Sequence, residues 1–377
     1  MASLYLHIPF CSNKCPYCDF YSQVATAGEI DRYAELLCRD ISQLKRCRPL
    51  TPPLETIYFG GGTPSLLSPP QIEAILASCA TAFGLAPGCE ITLEANPGTL
   101  ADGQLEACRA AGINRLSLGI QSLDEKNLRQ LGRIHNVGQA RESVNAARRT
   151  GFSNLSLDLM FALPEQSLSD LDRELVQLLE LDPEHISIYG LSFEDGTEFA
   201  ARLARGELMA CDESLYAEQY RLINERLRAA GFEHYEISNF ARPGRRCRHN
   251  QTYWQRNSCL AAGAGAHGFD ASSWGERWHI PPDLKRYAER IEAGANPAEF
   301  LESFTHHSAM AEYLYLSLRT ADGLDLERFA ERFGCRAEQV FATAREKATP
   351  YLQINAEHWF FTPEGWLLYD HLISHFL

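Results

Sequence analysis

Short apolar segments alternate with longer amphipathic segments from the beginning of the chain to about residue 230. The short segments are rich in β-branched and aromatic residues and predict strands at 4–9, 56–59, 90–95, 115–120, 154–161 and 185–189. The longer segments repeat apolar residues at helical spacing and predict helices at 30–46, 70–83, 100–111, 137–150 and 169–181, with Ser68 and Ser167 as caps for two of them. Strands that alternate with helices about every 30 residues are typical of parallel strands joined by crossover helices.

Six such units are too few for a closed eight-stranded barrel and fit either an open barrel or a doubly wound sheet. Polar residues at the strand ends favour the barrel. The sequence GGGT at 60–63 follows the second strand, Glu94 ends the third, Gln121 follows the fourth and Asp158 lies within the fifth. A doubly wound sheet binds ligands at one crevice, whereas a barrel gathers side chains from many strand ends around one mouth. We therefore predict an α/β fold with a partial (β/α)6 barrel over residues 1–230.

A different pattern begins beyond residue 230. Residues 260–269 (LAAGAGAHGF) are rich in glycine and alanine, and Trp254, Trp274 and Trp278 surround them in the sequence. From residue 306 onward the pattern predicts helices at 308–319, 325–333 and 336–347, followed by a hairpin from 351–354 and 358–370. These features predict a barrel extension over 231–305 and a small helical domain of winged-helix type over 306–377.

Acidic residues outnumber basic ones, 49 to 35, which gives a net charge of −14. This excess disfavours binding to phosphate backbones and anionic lipid, so we expect no nucleic-acid partner. No segment reaches the roughly 18 uninterrupted apolar residues of a membrane span, and the beginning of the chain lacks the basic and apolar regions of a secretory signal. The twelve cysteines of the chain are then expected to lie in the reducing cytosol.

Three of the cysteines, Cys11, Cys15 and Cys18, lie within eight residues directly after the first predicted strand. The other nine are scattered, which is typical of small buried hydrophobic residues. Three thiolates on one loop select zinc or an iron–sulfur cluster. Structural zinc usually takes four protein ligands, and neither a second cysteine pair nor a nearby histidine completes that set. The spacing therefore favours a [4Fe–4S] cluster with one iron left open for a small chelating molecule; zinc or a chance grouping of thiols is the alternative.

The segment CSNKCPYC resembles the CxxxCxxC signature of the radical S-adenosylmethionine (SAM) superfamily. Further segments in the same order resemble the branch that contains oxygen-independent coproporphyrinogen III dehydrogenase and the HemW-type haem chaperones: LYLHIPFC, FGGGTPS, EANPG, LSLGIQS and HNQTYW. The resemblance covers most of the chain, including a C-terminal HemN-type helical domain. It implies a partial (β/α)6 barrel with a [4Fe–4S] cluster on the three cysteines, whose open iron binds SAM and can generate a 5′-deoxyadenosyl radical.

The resemblance also implies a set of SAM-binding residues. The positions are Tyr5, Tyr17, Gly61, Gly62, Thr63, Glu94, Gln121, Arg133 and Asp158. Their chemistry suits this role, because glycines let the backbone approach a ligand, carboxylates and amides accept from ammonium and hydroxyl groups, and arginine pairs with a carboxylate. Tyr17 is suited to the adenine. Each position also has a structural interpretation, such as a tight turn or a satisfied buried group.

Two features separate the chaperone from the dehydrogenase within this branch. Phe20 stands where the dehydrogenase has a further cysteine, and Tyr5 lies almost at the start of the chain, where the dehydrogenase has a long extension. The segment HNQTYW also matches the HNxxYW motif of the chaperones. This match implies His249 as a haem ligand, with Tyr253 and Trp254 against the porphyrin face. A structural role for His249, or ligation by Cys247, is the alternative.

The expected protein is thus a cytosolic haem chaperone with a [4Fe–4S] cluster, SAM and haem as its cofactors. Its implied partners are haem and acceptor haemoproteins, soluble or membrane-associated, and a homodimer is left open. Two alternatives remain at this point. One is oxygen-independent coproporphyrinogen III dehydrogenase, which would carry out a radical oxidative decarboxylation. The other is a radical enzyme that acts on an unrelated substrate.

Overall fold

Six parallel strands form the centre of the fold in the computed structural model, which describes residues 2–48, 53–100 and 103–377. The strands are β1 (Ser3–Ile8), β2 (Leu54–Gly61), β3 (Leu85–Ala95), β4 (Arg115–Gln121), β5 (Leu155–Phe161) and β6 (His185–Gly190). Each strand pairs in parallel with the next one along the chain. All six predicted strands are therefore confirmed.

Helices connect these strands, as the helical spacing of apolar residues predicts. They are α1 (Ala27–Cys47), α2 (Pro69–Phe83), α3 (Gln104–Ala111), α4 (Glu125–Gln130), α5 (Val137–Arg149) and α6 (Leu168–Glu180). Ser68 and Ser167 precede α2 and α6 in capping boxes, which satisfy backbone donors of the first turn. The predicted helix at 100–111 includes positions 101 and 102, which lie outside the described residues; α3 begins at Gln104.

The chain beyond β6 extends the same sheet at both ends. The elements are α7 (Glu198–Ala204), α8 (Glu213–Ala229), β7 (Glu233–Glu236), β8 (Asn239–Ala241), α9 (Arg248–Trp254), β9 (Cys259–Ala262), β10 (His267–Asp270), β11 (Glu276–His279), α10 (Leu284–Glu292) and β12 (Glu299–Ser303). β8 pairs antiparallel with β6, and β9 pairs in parallel with β1. The resulting order is β12-β11-β10-β9-β1-β2-β3-β4-β5-β6-β8-β7, so the outermost strands lie at opposite ends of an open, partial barrel.

The C-terminal part combines short helices with a three-stranded sheet of order β13-β15-β14. Its elements are α11 (His306–Leu318), β13 (Leu324–Asp325), α12 (Leu326–Phe333), α13 (Ala337–Val340), α14 (Ala342–Ala348), β14 (Leu352–Ile354), β15 (His358–Phe361), α15 (Pro363–Leu367) and α16 (Tyr369–Ile373).

Two predictions for this C-terminal part were wrong. The helix predicted at 336–347 is two helices that meet at Phe341. The strand predicted over 358–370 ends at residue 361, because Thr362 accepts from the Gly365 amide and caps α15, with Pro363 at its first position.

Alternate residues of the parallel strands face two different environments. On β1, Leu4, Leu6 and Ile8 are fully buried in the apolar core beneath the helices. The opposite faces of the strands carry polar side chains that bond to one another across neighbouring strands, as between Ser117 Oγ and Asp158 Oδ1 at 3.1 Å. The inside of the partial barrel is therefore polar, and any ligand there meets hydrogen-bonding groups.

Candidate functional site

A cavity of about 510 Å³ opens at the carboxyl ends of the parallel strands. It brings together the three cysteines and all but one of the residues implied for SAM binding: Cys11, Cys15, Cys18, Tyr17, Gly61, Gly62, Thr63, Glu94, Gln121, Arg133 and Asp158. Tyr5 lies outside the cavity lining and stacks on Tyr58, which does line it. The three cysteines and eight of the nine residues implied for SAM binding therefore share one concave surface.

Backbone hydrogen bonds close the base of the cysteine loop. The Cys11 amide donates to the Gln23 carbonyl at 3.0 Å, and the Gln23 amide donates to the Pro9 carbonyl at 2.9 Å. The Thr63 hydroxyl lies 3.6 Å from the Cys11 sulfur, and Arg133 Nη1 lies 3.4 Å from the Cys15 sulfur. These contacts place hydrogen-bond donors next to the sulfur atoms, which is a feature that tunes iron–sulfur clusters.

The donor set fits a [4Fe–4S] cluster. Cys11, Cys15 and Cys18 are free and partly exposed to the same cavity. Among residues 2–48, 53–100 and 103–377, no three histidine, cysteine or acidic side chains are grouped for a single metal ion. A cubane cluster does not need such a group, because each of its thiolates binds a different iron.

The glycines after β2 pack against the start of the cysteine loop. A Cβ atom at Gly62 would lie 2.5 Å from the Phe10 carbonyl oxygen, so only glycine fits there. The Gly62 amide donates to the Ile8 carbonyl at 2.8 Å, and the Thr63 amide donates to the Phe10 carbonyl at 2.6 Å. Both amides donate within the protein and are therefore not available to a ligand carboxylate, whereas a ligand ammonium needs acceptors, which in this turn are carbonyl oxygens.

Two carboxylates give the cavity its acceptor character. Glu94 accepts a hydrogen bond from the Tyr58 hydroxyl at 2.7 Å, and Asp158 accepts from Ser117. Burial raises the pKa of Glu94 to about 7, and the Tyr58 hydrogen bond opposes that rise. Burial also raises the pKa of Asp158. A cationic ligand with hydroxyl groups is suited to these acceptors.

Arg133 is fixed by the protein on the cysteine side of the cavity. Its Nη2 donates to the Gly119 carbonyl at 2.8 Å and to the Asn96 side chain. Asn96 in turn donates to Thr63 Oγ1 at 2.9 Å. Arg133 and Thr63, which both contact cysteine sulfurs, are thus joined through Asn96.

The segment HNQTYW forms most of α9, and its aromatic side chains point in different directions. His249 is 1% exposed, with Nδ1 at 2.7 Å from Thr56 Oγ1 and Nε2 at 2.9 Å from the Tyr253 hydroxyl. Burial lowers the pKa of His249 to about 3. The ring of Trp254 instead lies under the Arg319 guanidinium, 4.6 Å away. The structure therefore does not gather the three haem candidates on one face. Ligation of haem by His249 stays a prediction, and it requires one ring nitrogen to be released from Thr56 or Tyr253.

Comparison with known proteins identifies the family. Residues 5–178 match the model of the radical SAM superfamily, and residues 304–368 match that of the HemN C-terminal domain. A heme chaperone HemW from Bacillus subtilis (strain 168) is 34% identical, over 100% of this chain and 99% of that protein. The chain belongs to the HemW family of radical SAM proteins. A second HemW, from Lactococcus lactis subsp. lactis (strain IL1403), is 36% identical over 90% of this chain and 87% of that protein.

A solved structure supports the fold of this HemW-family chain. Coproporphyrinogen III oxidase (HemN) from Escherichia coli superposes with a TM-score of 0.84, over 100% of this chain and 89% of that chain. The two sequences are 22% identical, so this likeness concerns the fold alone. The predicted radical SAM barrel with a C-terminal helical domain is confirmed. In the part of the chain that the structure describes, no helix has the length and apolar character needed to cross a membrane.

Two residues of the HemW-family site were missed by the sequence analysis. Asn96 lies in the segment EANPG, and an amide next to an acidic strand end is a signal for a polar site. Tyr58 lies within β2, and its position two residues before the glycines places its ring on the polar side of the strand. Alternation along β2 could have identified it.

Proposed function

We propose that this chain is a haem chaperone that carries a [4Fe–4S] cluster and SAM and passes haem to acceptor haemoproteins in the cytosol. The observation that carries the proposal is the single cavity shared by three free thiols and the acidic side chains, in a chain whose full-length relatives are named heme chaperone HemW. Those names support haem as the cargo. The free state of all twelve cysteines supports a reducing compartment.

In this proposal Cys11, Cys15 and Cys18 hold the cluster, and Thr63 and Arg133 donate hydrogen bonds to two of the sulfurs. Glu94 and Asp158 bind the ammonium or the ribose hydroxyls of SAM. The cluster and SAM together, when bound, supply one-electron radical chemistry. Tyr17 covers the adenine next to the cysteine loop. The side chains thereby orient SAM and limit its contact with water.

Haem binding tests the chaperone proposal directly. Cluster-reconstituted protein is expected to bind haem at micromolar concentration, to give a distinct haem absorbance, and to release that haem to an apo-haemoprotein. Protein that shows no haem absorbance at these concentrations would contradict the proposal. Conversion of coproporphyrinogen III to protoporphyrinogen under anaerobic reducing conditions would favour the dehydrogenase instead.

SAM affinity is expected to depend on pH through Glu94. A ligand that donates to this carboxylate favours its charged form, so affinity is expected to be full above about pH 7 and to fall as the pH drops through that value. The fall should approach about tenfold per pH unit, the limit for coupling to one proton. Equilibrium binding of SAM to cluster-reconstituted protein at pH 6, 7 and 8 measures the slope.

The matched variant for this pH dependence is Glu94→Gln. Glutamine keeps an acceptor for the Tyr58 hydroxyl but has no titrating proton. The variant should bind SAM more weakly at pH 8 and with a flat profile between pH 6 and 8. An unchanged slope in this variant would assign the titration to another group.

A further inference from the structure

Helix α9, which carries HNQTYW, is attached to the barrel by a buried carboxylate. Glu90 of β3 accepts from the His249 amide at 3.1 Å and from the Arg248 amide at 3.3 Å. It also accepts from the Cys247 thiol, with a sulfur–oxygen distance of 3.7 Å. The start of α9 is therefore fixed relative to β3, the same strand that carries Glu94.

The ring of His249 has one orientation in this setting. Thr56 bonds to Nδ1 and Tyr253 bonds to Nε2, so both ring nitrogens have partners within the protein. One face of the ring stacks on Tyr58, with 5.0 Å between ring centroids and 29° between planes. His249 thus presents a fixed flat surface to Tyr58.

Tyr58 connects the His249 ring to the cavity, because it stacks on that ring and bonds to Glu94. Its ring is stacked with Tyr5 as well as with His249, at 6.2 Å between the centroids of the two tyrosines. A ring held by two stacked neighbours has little freedom, and its hydroxyl donates to Glu94 Oε1 at 2.7 Å. The other charged groups that act on Glu94 are Asp158 and Arg115, and neither one takes part in this stack.

We propose that His249 is a positioning residue for SAM: it holds Tyr58 so that the Tyr58 hydroxyl orients Glu94 toward the ligand. The inference rests on the proposed binding of SAM by Glu94. It gives HNQTYW a role at the SAM cavity, and Asn250 of the same segment lines that cavity directly. A histidine that acts through stacking needs its ring, whereas a histidine that ligates haem iron needs a free nitrogen.

SAM affinity of cluster-reconstituted protein, measured without haem, tests the inference. Tyr58→Phe should weaken SAM binding about tenfold, the loss expected for a hydrogen bond to a charged group, and should move the pH midpoint of binding upward. His249→Ala should reproduce both effects, because Tyr58 then loses its support. His249→Phe keeps a ring against Tyr58 and should retain wild-type SAM affinity and midpoint, although it can no longer ligate haem.

Two comparisons make the outcome decisive. Trp254→Phe, on the same helix but facing Arg319, should leave SAM affinity unchanged. The double variant His249→Ala with Tyr58→Phe should bind no more weakly than Tyr58→Phe alone, because both changes act on one contact. Iron content is measured for every variant to establish that the cluster is intact.

The inference is overturned if His249→Ala with full iron binds SAM as the wild type does, or if His249→Phe weakens binding as much as His249→Ala. It is also overturned if the two single losses add in the double variant. The underlying proposal that Glu94 binds SAM has a separate test. If Glu94→Gln leaves SAM affinity unchanged, Glu94 does not bind SAM and the proposed SAM site is wrong.

Discussion

Cys15→Ser is expected to yield protein without the brown iron–sulfur chromophore and without the roughly four irons per chain of a [4Fe–4S] cluster. Serine keeps the size of the side chain but replaces a soft thiolate by a hydroxyl, which is a poor ligand for cluster iron. The remaining two cysteines would leave two irons without protein ligands. Arg133 donates toward the Cys15 sulfur, so its guanidinium would also lose a contact with a thiolate in this variant. Iron analysis and the visible spectrum after anaerobic reconstitution measure the effect.

Cys47→Ser is the matched control for this prediction. Cys47 is exposed at the last residue of α1 and lies outside the lining of the cavity. Its replacement should leave iron content and colour at the wild-type level. Full iron in Cys15→Ser, or equal loss in both variants, would contradict the assignment of the cluster to the cysteine loop.

The barrel could be predicted from the sequence because each of its strands carries a local signal. In β1, Leu4, Leu6 and Ile8 alternate with polar positions, and the two sets face the helix layer and the barrel interior. The cysteine loop follows directly, and its spacing favours a thiolate-bound iron–sulfur cluster. The alternation along the strands, the spacing of the cysteines and the polar strand ends therefore all predict a site at the same edge of the sheet.

The position of HNQTYW could not be predicted in the same way. α9 has seven residues, too few for an apolar face to reveal its orientation. What fixes it is Glu90, which lies 159 residues earlier than His249 in the sequence. The glycine turn shows the same limit. Its amides at Gly62 and Thr63 donate to the carbonyls of Ile8 and Phe10, which are distant in the sequence. The sequence could therefore indicate the turn but not which of its backbone groups are left for a ligand.

The largest expected effect on stability concerns Glu312 of α11. Its side chain is 11% exposed and accepts from Arg256 Nε at 2.5 Å, and the Arg256 side chain is 1% exposed. Arg256 follows α9 and also donates to the Trp274 carbonyl, so this pair joins the barrel extension to the C-terminal helices. Glu312→Ala would leave a buried guanidinium without its counter-ion. Removal of one partner of a buried pair costs about 3 to 5 kcal/mol, and we expect a loss of that size in the free energy of unfolding, measured with urea.

Glu302→Ala provides the comparison for this loss, because Glu302 pairs with Arg277, a residue that also contacts Glu312. The Arg277–Glu302 pair is at the surface, with side chains 35% and 46% exposed, so water can replace the lost partner. Such pairs contribute at most about 1 kcal/mol. If burial of Arg256 is what makes Glu312 important, the two variants should differ several-fold in their effect on unfolding. Equal losses would mean that the shared contact with Arg277, rather than the buried charge of Arg256, accounts for the stability of this junction.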